Sequence, residues 1–264
     1  MTGIWGILNI TPDSFSDGGR YLDLDIAVAR ARTMRAQGAT MIDVGGESTR
    51  PGADRIGAAE EQRRVLPVIE ALTAEGIPTS IDTLNADTAA AAVRAGTRIV
   101  NDVSGGLADE HMLATVADLD ADIAIGHWRG PSADMYARAQ YTRIAREVAS
   151  ELRDRVTAAA VAGIAPSRVI LDPGIGFAKS GPQNWEVLRG LDEIVALGHR
   201  VLIGTSRKRF LADTLDGDAD QPRRDLATAV TSALSARAGA WAVRVHDVAA
   251  TRDALAVTTA WDGA

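Results

Sequence analysis

The chain has 264 residues, 46% hydrophobic and 24% charged, with a formal net charge of -7, which suits one large folded α/β domain and not a disordered chain. The negative balance argues against a nucleic-acid or anionic-membrane binder, and the absence of cysteine removes disulfides, thiolate metal sites and a thiol nucleophile. No stretch nears the ~18 apolar residues of a membrane span, and no basic, apolar leader opens the sequence, so a cytoplasmic protein without a membrane partner is expected.

Short apolar runs recur along the chain, and each ends in polar or glycine-rich residues before a helical pattern begins. Strands are expected at 4–8, 40–44, 79–81, 98–100, 123–125, 168–171, 200–203 and 241–245. Between them, apolar spacing of about 3.6 predicts helices over 25–37, 58–74, 86–95, 141–162, 185–197, 224–237 and 249–261. Gly38, Gly76, Gly96, Gly163, Gly198 and Gly239 each follow a helical run, as a C′ glycine does. The stretches 14–24, 47–57, 129–140 and 212–222 read as loops. About eight β-α units imply a single (β/α)8 TIM barrel over 1–264, with its active site at the C-terminal ends of the strands. An open, doubly wound sheet is the structural alternative.

The strand ends carry the chemistry. In chain order they deliver Asn9, Asp43 to Glu47, Asp82, Asn101, Asp102, Gly126, His127, Asp172, the run Gly204 to Lys208, Arg244 and His246. One acid at a strand end is usually a cap for the next helix. A whole ring of polar groups is harder to explain that way, because each costs about 2–7 kcal/mol if desolvated without a partner. An ionised aspartate accepts two parallel N–H bonds from an amidine-like edge, and asparagine supplies a donor and an acceptor beside it. Asp82, Asn101 and Asp172 are therefore candidates for reading a fused bicyclic ring such as a pterin or guanine. Arg244 and His246, two apart on one strand, point the same way and suit a phosphate or diphosphate, with Asn9 on the neighbouring strand. His127 is open between a ligand contact and a satisfied core histidine.

Two glycine motifs fail. In "GIGFAKS" (174–180) Ala178 stands where a Walker loop needs glycine, and Lys179 takes the third glycine's place in a dinucleotide fingerprint. Cations at "SRKR" (206–209) oppose a helix macrodipole, so an anionic or carbonyl-bearing ligand explains them better than a bare helix start. No nucleophile with an adjacent base and no metal-spaced histidine cluster emerges. Catalysis by binding and electrostatics, with a good leaving group, is the chemistry left.

Seven blocks in series, "GILNITPDSFSDGG" (6–19), "IDVGGESTRPGA" (42–53), "SIDT" (80–83), "NDVSGG" (101–106), "DPGIGFAK" (172–179), "SRKRF" (206–210) and "RVHDV" (244–248), resemble the bacterial dihydropteroate synthases, most of all actinobacterial members. The resemblance implies a pterin-binding barrel of folate biosynthesis. It implies a transferase that joins 6-hydroxymethyl-7,8-dihydropterin diphosphate to 4-aminobenzoate, with Mg²⁺ required. Asp82, Asn101, Asp172 and Lys208 match pterin-contacting positions. Asn9, Arg244 and His246 match those at the diphosphate, with Asn9 at the metal. Phe15, Thr49, Arg50, Pro51 and Ser206 match the 4-aminobenzoate pocket, and Asp17 matches an acid that steadies the pterin cation. Asp17, Lys208, Arg244 and His246 carry the catalytic roles. The resemblance also implies a homodimer through late outer helices and inhibition by sulfonamides, which copy 4-aminobenzoate.

Pro12 ends the first strand, and Gly18 and Gly19 give the loop freedom to swing, so a lid carrying Phe15 and Asp17 is expected over the site. Three positions depart from the family. Gly126 stands for a methionine packed on the pterin, which enlarges the pocket or leaves its space to Trp128. Arg209 replaces a small serine, and Ala178 replaces a glycine. Two other readings remain at this point: a methyltetrahydrofolate-type methyltransferase that shares the pterin contacts, and a non-catalytic or weakly active pterin-binding paralogue.

Overall fold

The computed structural model describes residues 1–10, 20–47, 56–131 and 135–263. Phe15, Asp17, Thr49, Arg50, Pro51 and the expected lid lie outside the described residues. Eight strands, β1 (Gly3–Asn9), β2 (Met41–Gly45), β3 (Thr79–Asp82), β4 (Ile99–Asp102), β5 (Asp122–Gly126), β6 (Val169–Asp172), β7 (Arg200–Ile203) and β8 (Ala242–Val245), pair in chain order. All pairs are parallel, and β8 returns to β1 through Gly3↔Ala242, which closes the barrel and leaves no edge.

The strands alternate between two apolar environments. Ile4, Leu8, Ile42, Val44, Ile81 and Val100 face outward into the large core shared with the helices. Trp5, Ile99, Ala124, Ile170, Leu202 and Ala242 point inward and plug the lumen, with Met41 against them. Both faces are therefore dry, which is why the strands read as continuous apolar runs. The plug also sets the site, because side chains two residues further along these strands sit one step higher on the same lumen face.

Around the barrel run α1 (Arg20–Gln37), α2 (Ala58–Ala74), α3 (Ala86–Arg94), α4 (Met112–Ala117), α5 (Ile144–Val161), α6 (Gly181–Arg189), α7 (Asp192–Val195), α8 (Arg209–Thr214), α9 (Gln221–Arg237) and α10 (Val248–Asp262). The expected helix over 185–197 is two helices. The first starts early because Ser180 and Gln183 form a capping box with Pro182 in the first turn. It stops at Gly190, where a Cβ would lie 2.6 Å from the Ala145 Cβ of α5. Residues 20–24, assigned above to a loop, belong to α1. The stretch 212–222 likewise holds the end of α8 and the start of α9, whose N-cap Asp220 accepts from the Arg223 N–H at 3.0 Å.

All six glycines expected at helix ends take positive φ. Gly76 (φ 68°) faces open space, whereas a Cβ on Gly96 (φ 112°) would lie 2.4 Å from Thr73 Cγ2. Gly76→Ala should therefore cost about 1 kcal/mol, the left-handed penalty alone. Gly96→Ala adds a collision and should cost about 2–4 kcal/mol. Urea unfolding of both variants checks this, and equal losses would show that the Thr73 contact does not matter.

Candidate active site

One step above the plug, the lumen turns polar. Asp43, fully buried on β2, accepts from Ser80 Oγ at 2.6 Å, Asn101 Nδ2 at 3.2 Å and Arg244 Nε at 2.5 Å. The Arg244 Nη2 donates to Asp82 Oδ2 at 2.6 Å. One guanidinium from β8 thus reaches the carboxylates of β2 and β3, and the same cluster holds the Asn101 amide of β4. Of the five N–H donors on a guanidinium, these bonds use two.

The sequence reading placed Asp82 on the ring and Arg244 on the diphosphate; the structure ties the two together. It gave Asp43 no role of its own, although Asp43 is the hub. The signal was available in the pleat, because Asp43 follows the lumen residue Met41 by two.

Two lumen glycines leave room beside this cluster. The point a Cβ would occupy on Gly45 lies 3.7 Å from Asn9 Oδ1 and 3.8 Å from Asp82 Oδ2. The corresponding point on Gly204 lies 3.9 Å from each of Arg244 Cβ, Asp172 Oδ2 and Lys208 Nζ. Asn9, Asp82, Asp172, Lys208 and Arg244 therefore converge on one mouth, as expected. Asp172 Oδ1 accepts from the Gly174 N–H at 2.7 Å. Lys208 donates to the Ile175 carbonyl and sits 4.9 Å above the Phe177 ring.

Gly126 does not enlarge this pocket. A Cβ there would lie 2.3 Å from the Val103 carbonyl oxygen, so the main chain after β4 already fills the space. His246 and Ser206 form a pair at the end of β8. Ser206 Oγ lies 2.8 Å from His246 Nδ1 and accepts the His246 main-chain N–H at 3.1 Å. The serine contact at Nδ1 fixes the orientation of the imidazole. Ser206, matched above to the 4-aminobenzoate pocket, thus orients His246.

The "SRKR" cations divide. Arg207, in the left-handed region at φ 58°, turns to α9 and donates to both oxygens of Asp225 at 2.6 and 2.9 Å. Its main-chain N–H donates to Thr228 Oγ1 at 3.1 Å, and Thr205 meets Thr231 at 2.8 Å. The Arg209 side chain is 91% exposed beside Asp213. Only Lys208 faces the mouth, so the ligand expected to explain the whole run explains one of its three cations.

Burial dominates the electrostatics. It pushes the Asp82 carboxyl up to about 7 against the pull of Arg244, with Asp43 adding to the rise. Burial also raises Asp172, against Lys208. It pulls Lys208 down to about 8, although Asp172 favours its charge. For Arg244 burial works against the charge, but Asp43 and Asp82 outweigh it and hold the guanidinium above its ordinary pKa. Asp82 and Asp172 each accept one described hydrogen bond, from Arg244 and from the Gly174 N–H, and a ligand edge rich in N–H groups could supply more of what burial removed.

Residues 5–246 match the family described as pterin binding enzymes. The chain belongs to that family. Within it, the chain is 51% identical over 261 residues to the dihydropteroate synthase of Mycobacterium leprae, covering 97% of this chain and 92% of that one. The Clostridium difficile dihydropteroate synthase structure, determined in the presence of pteroic acid, superposes with a TM-score of 0.92 at 42% identity, covering 98% and 96% of the chains. The Xanthomonas albilineans dihydropteroate synthase with 4-aminobenzoic acid gives a TM-score of 0.92 at 41% identity, covering 100% and 94%. This pterin-binding barrel is an enzyme, a transferase of the dihydropteroate synthase kind.

Asp43→Ala would orphan Ser80 and Asn101 and leave Arg244 with Asp82 alone, so it should cost about 3 kcal/mol of stability. Chemical denaturation checks this, and a loss under about 1 kcal/mol would mean that Asp43 is not the hub.

Proposed function

We propose that this mouth joins 6-hydroxymethyl-7,8-dihydropterin diphosphate to 4-aminobenzoate, with the described residues dividing the work. The observation that carries the reading is the convergence of Asp43, Asp82, Asn101 and Asp172 with Arg244 and Lys208 on one largely buried mouth, open at Gly45 and Gly204. Asp82, Asn101 and Asp172 take the amidine and amide edge of the pterin. Among the described residues Asp82 meets Arg244 through Oδ2, and Oδ1 serves the ring. Lys208 lies against the pterin between Phe177 and Asp172.

Diphosphate is a good leaving group, and Arg244 and His246 stabilise the charge that it carries away. Asn9 supplies one hard oxygen donor. Among the described residues no cluster of three or more His, Asp or Glu side chains is placed to cage a metal. That donor set fits Mg²⁺, which is commonly held by one or two protein oxygens plus substrate phosphates. Bound there, Mg²⁺ would neutralise diphosphate charge. The weakly basic amine of 4-aminobenzoate then attacks a delocalised pterin cation, so no strong general base is needed. The three carboxylates of the mouth outnumber its two cations, a balance that favours positive charge there. Asp17, at the pterin methylene, and Phe15, Thr49, Arg50 and Pro51, around 4-aminobenzoate, complete the site from the first two loops. Sulfonamides compete for the same pocket.

We infer a homodimer, and the outer surface supports it. Leu226, Val230 and Leu234 form an i, i+4, i+8 stripe on α9, each more than half exposed, with Val257 and Trp261 exposed on neighbouring α10. Trp261, which could have served barrel packing, is 81% exposed. Exposed apolar side chains on two adjacent helices suit burial against a second copy.

Formation of dihydropteroate from the two substrates, dependent on Mg²⁺, tests the function. Asp82→Ala should lose more than about a hundredfold in activity, because it removes charge-assisted bonds worth roughly 1.5–3 kcal/mol each. Near-normal turnover would sink the pterin assignment. Because the ionised Asp82 accepts the ring N–H groups, pterin affinity should fall about tenfold per pH unit below about 7. Titration calorimetry across pH checks this, and an Asp82→Asn variant should lack that limb. Sedimentation of Val230→Asp should show a monomer where the native chain shows a dimer.

A further inference from the structure

Among the described residues Lys179 is the largest charged side chain sealed inside the molecule, 1% exposed, and the chemistry above does not use it. Its ammonium has three N–H donors and meets three acceptors: His127 Nδ1 at 2.9 Å, the Gly174 carbonyl at 3.0 Å and the Phe177 carbonyl at 3.0 Å. The three acceptors favour the ammonium form against burial, which pulls the Lys179 pKa down to about 7. His127, 2% exposed, has its Nε2 3.0 Å from Glu151 Oε2 on α5. An ionised carboxylate only accepts, so Nε2 carries the ring proton and Nδ1 is bare toward Lys179. Burial and Lys179 push the His127 pKa down to about 4, which keeps the ring neutral. Burial alone would raise Glu151, but bonds from His127 and Arg129 hold it down at about 2. Arg129 donates to both Glu151 oxygens and stacks 3.8 Å above the Tyr141 ring, whose hydroxyl donates to the Ala178 carbonyl at 3.0 Å.

All these bonds converge on the turn from Pro173 to Lys179. Its outward carbonyls, Gly174, Phe177 and Ala178, are taken by Lys179 and Tyr141. Its inward groups serve the mouth: Gly174 N–H donates to Asp172, and the Ile175 carbonyl accepts from Lys208. The turn is strained, with Ala178 at φ 47°, so something must hold it.

The geometry points to Lys179 as a positioning residue for the pterin half of the site: through the Glu151–His127–Lys179 chain it fixes the turn that aims Asp172 and Lys208. This inference rests on the pterin reading of the mouth and specifies how it is supported. It also explains why "GIGFAKS" resembles a phosphate loop yet is none: its lysine points into the protein.

The test is calorimetric binding of 6-hydroxymethylpterin to the native chain, Lys179→Met and His127→Leu, with separate KM values for the two substrates. Lys179→Met should weaken pterin binding about tenfold or more and raise the KM for pterin diphosphate in step, while the KM for 4-aminobenzoate stays within about twofold. His127→Leu removes one acceptor and should shift the same parameters in the same direction; it decides the matter if Lys179→Met does not fold. In ¹⁵N-histidine spectra, His127 of the native chain should show the Nε2-protonated neutral ring, and Lys179→Met should change that signal. A native chain that binds no pterin overturns the reading of the mouth and this inference with it. A native chain that binds pterin, with folded variants that bind it equally well or lose both substrates together, overturns this inference alone.

Discussion

Arg244 sits between Asp43 and Asp82 at the top of a sealed lumen, and the rest of the site is arranged around that contact. Three charges without bulk water are costly unless each is paired. Here the pairing is drawn from strands that are not neighbours: β8 supplies the cation, β2 and β3 the anions. The barrel must be closed, and in this register, for the cluster to exist at all. The apolar plug below keeps water out from beneath, so the interactions above it are felt at low dielectric. Desolvation raises Asp82 and Asp172, and in the proposed function a ligand edge with its own N–H donors would offset it.

The loops beyond the strands are held from outside. The turn that carries Ser206 and Lys208 is anchored through Thr205, Arg207 and the Arg207 main chain to Thr231, Asp225 and Thr228, all on α9. The opposite side of α9 carries the exposed apolar stripe. The turn after β6 is anchored through Lys179 to α5. Both of these turns thus have a helix behind them, and the Lys208 side chain owes its aim to residues outside the mouth.

Much of this was legible in the sequence because the barrel is buried on both faces. Apolar runs ending in polar residues located every strand and put Asp82, Asn101, Asp172, Arg244 and His246 on the right face. What the sequence hid depended on close approaches between distant segments. The break between α6 and α7 comes from Gly190 against Ala145, and Gly126 is required by the Val103 main chain. Helices as short as α4 and α8 span under two turns and show no usable periodicity. Asp43 looked like one acid among several until its three partners appeared, and Lys179 looked like part of a failed phosphate motif until its cage did.

In the proposed reaction Arg244 and Asp82 act as one unit, coupling recognition of the ring to stabilisation of the leaving group. A double-mutant cycle on the affinity for pterin diphosphate, with Asp82→Asn, Arg244→Gln and the pair, measures that directly. A coupling energy of at least about 1.4 kcal/mol, a factor of about ten in affinity, is expected. Effects that add within about 0.5 kcal/mol would contradict it.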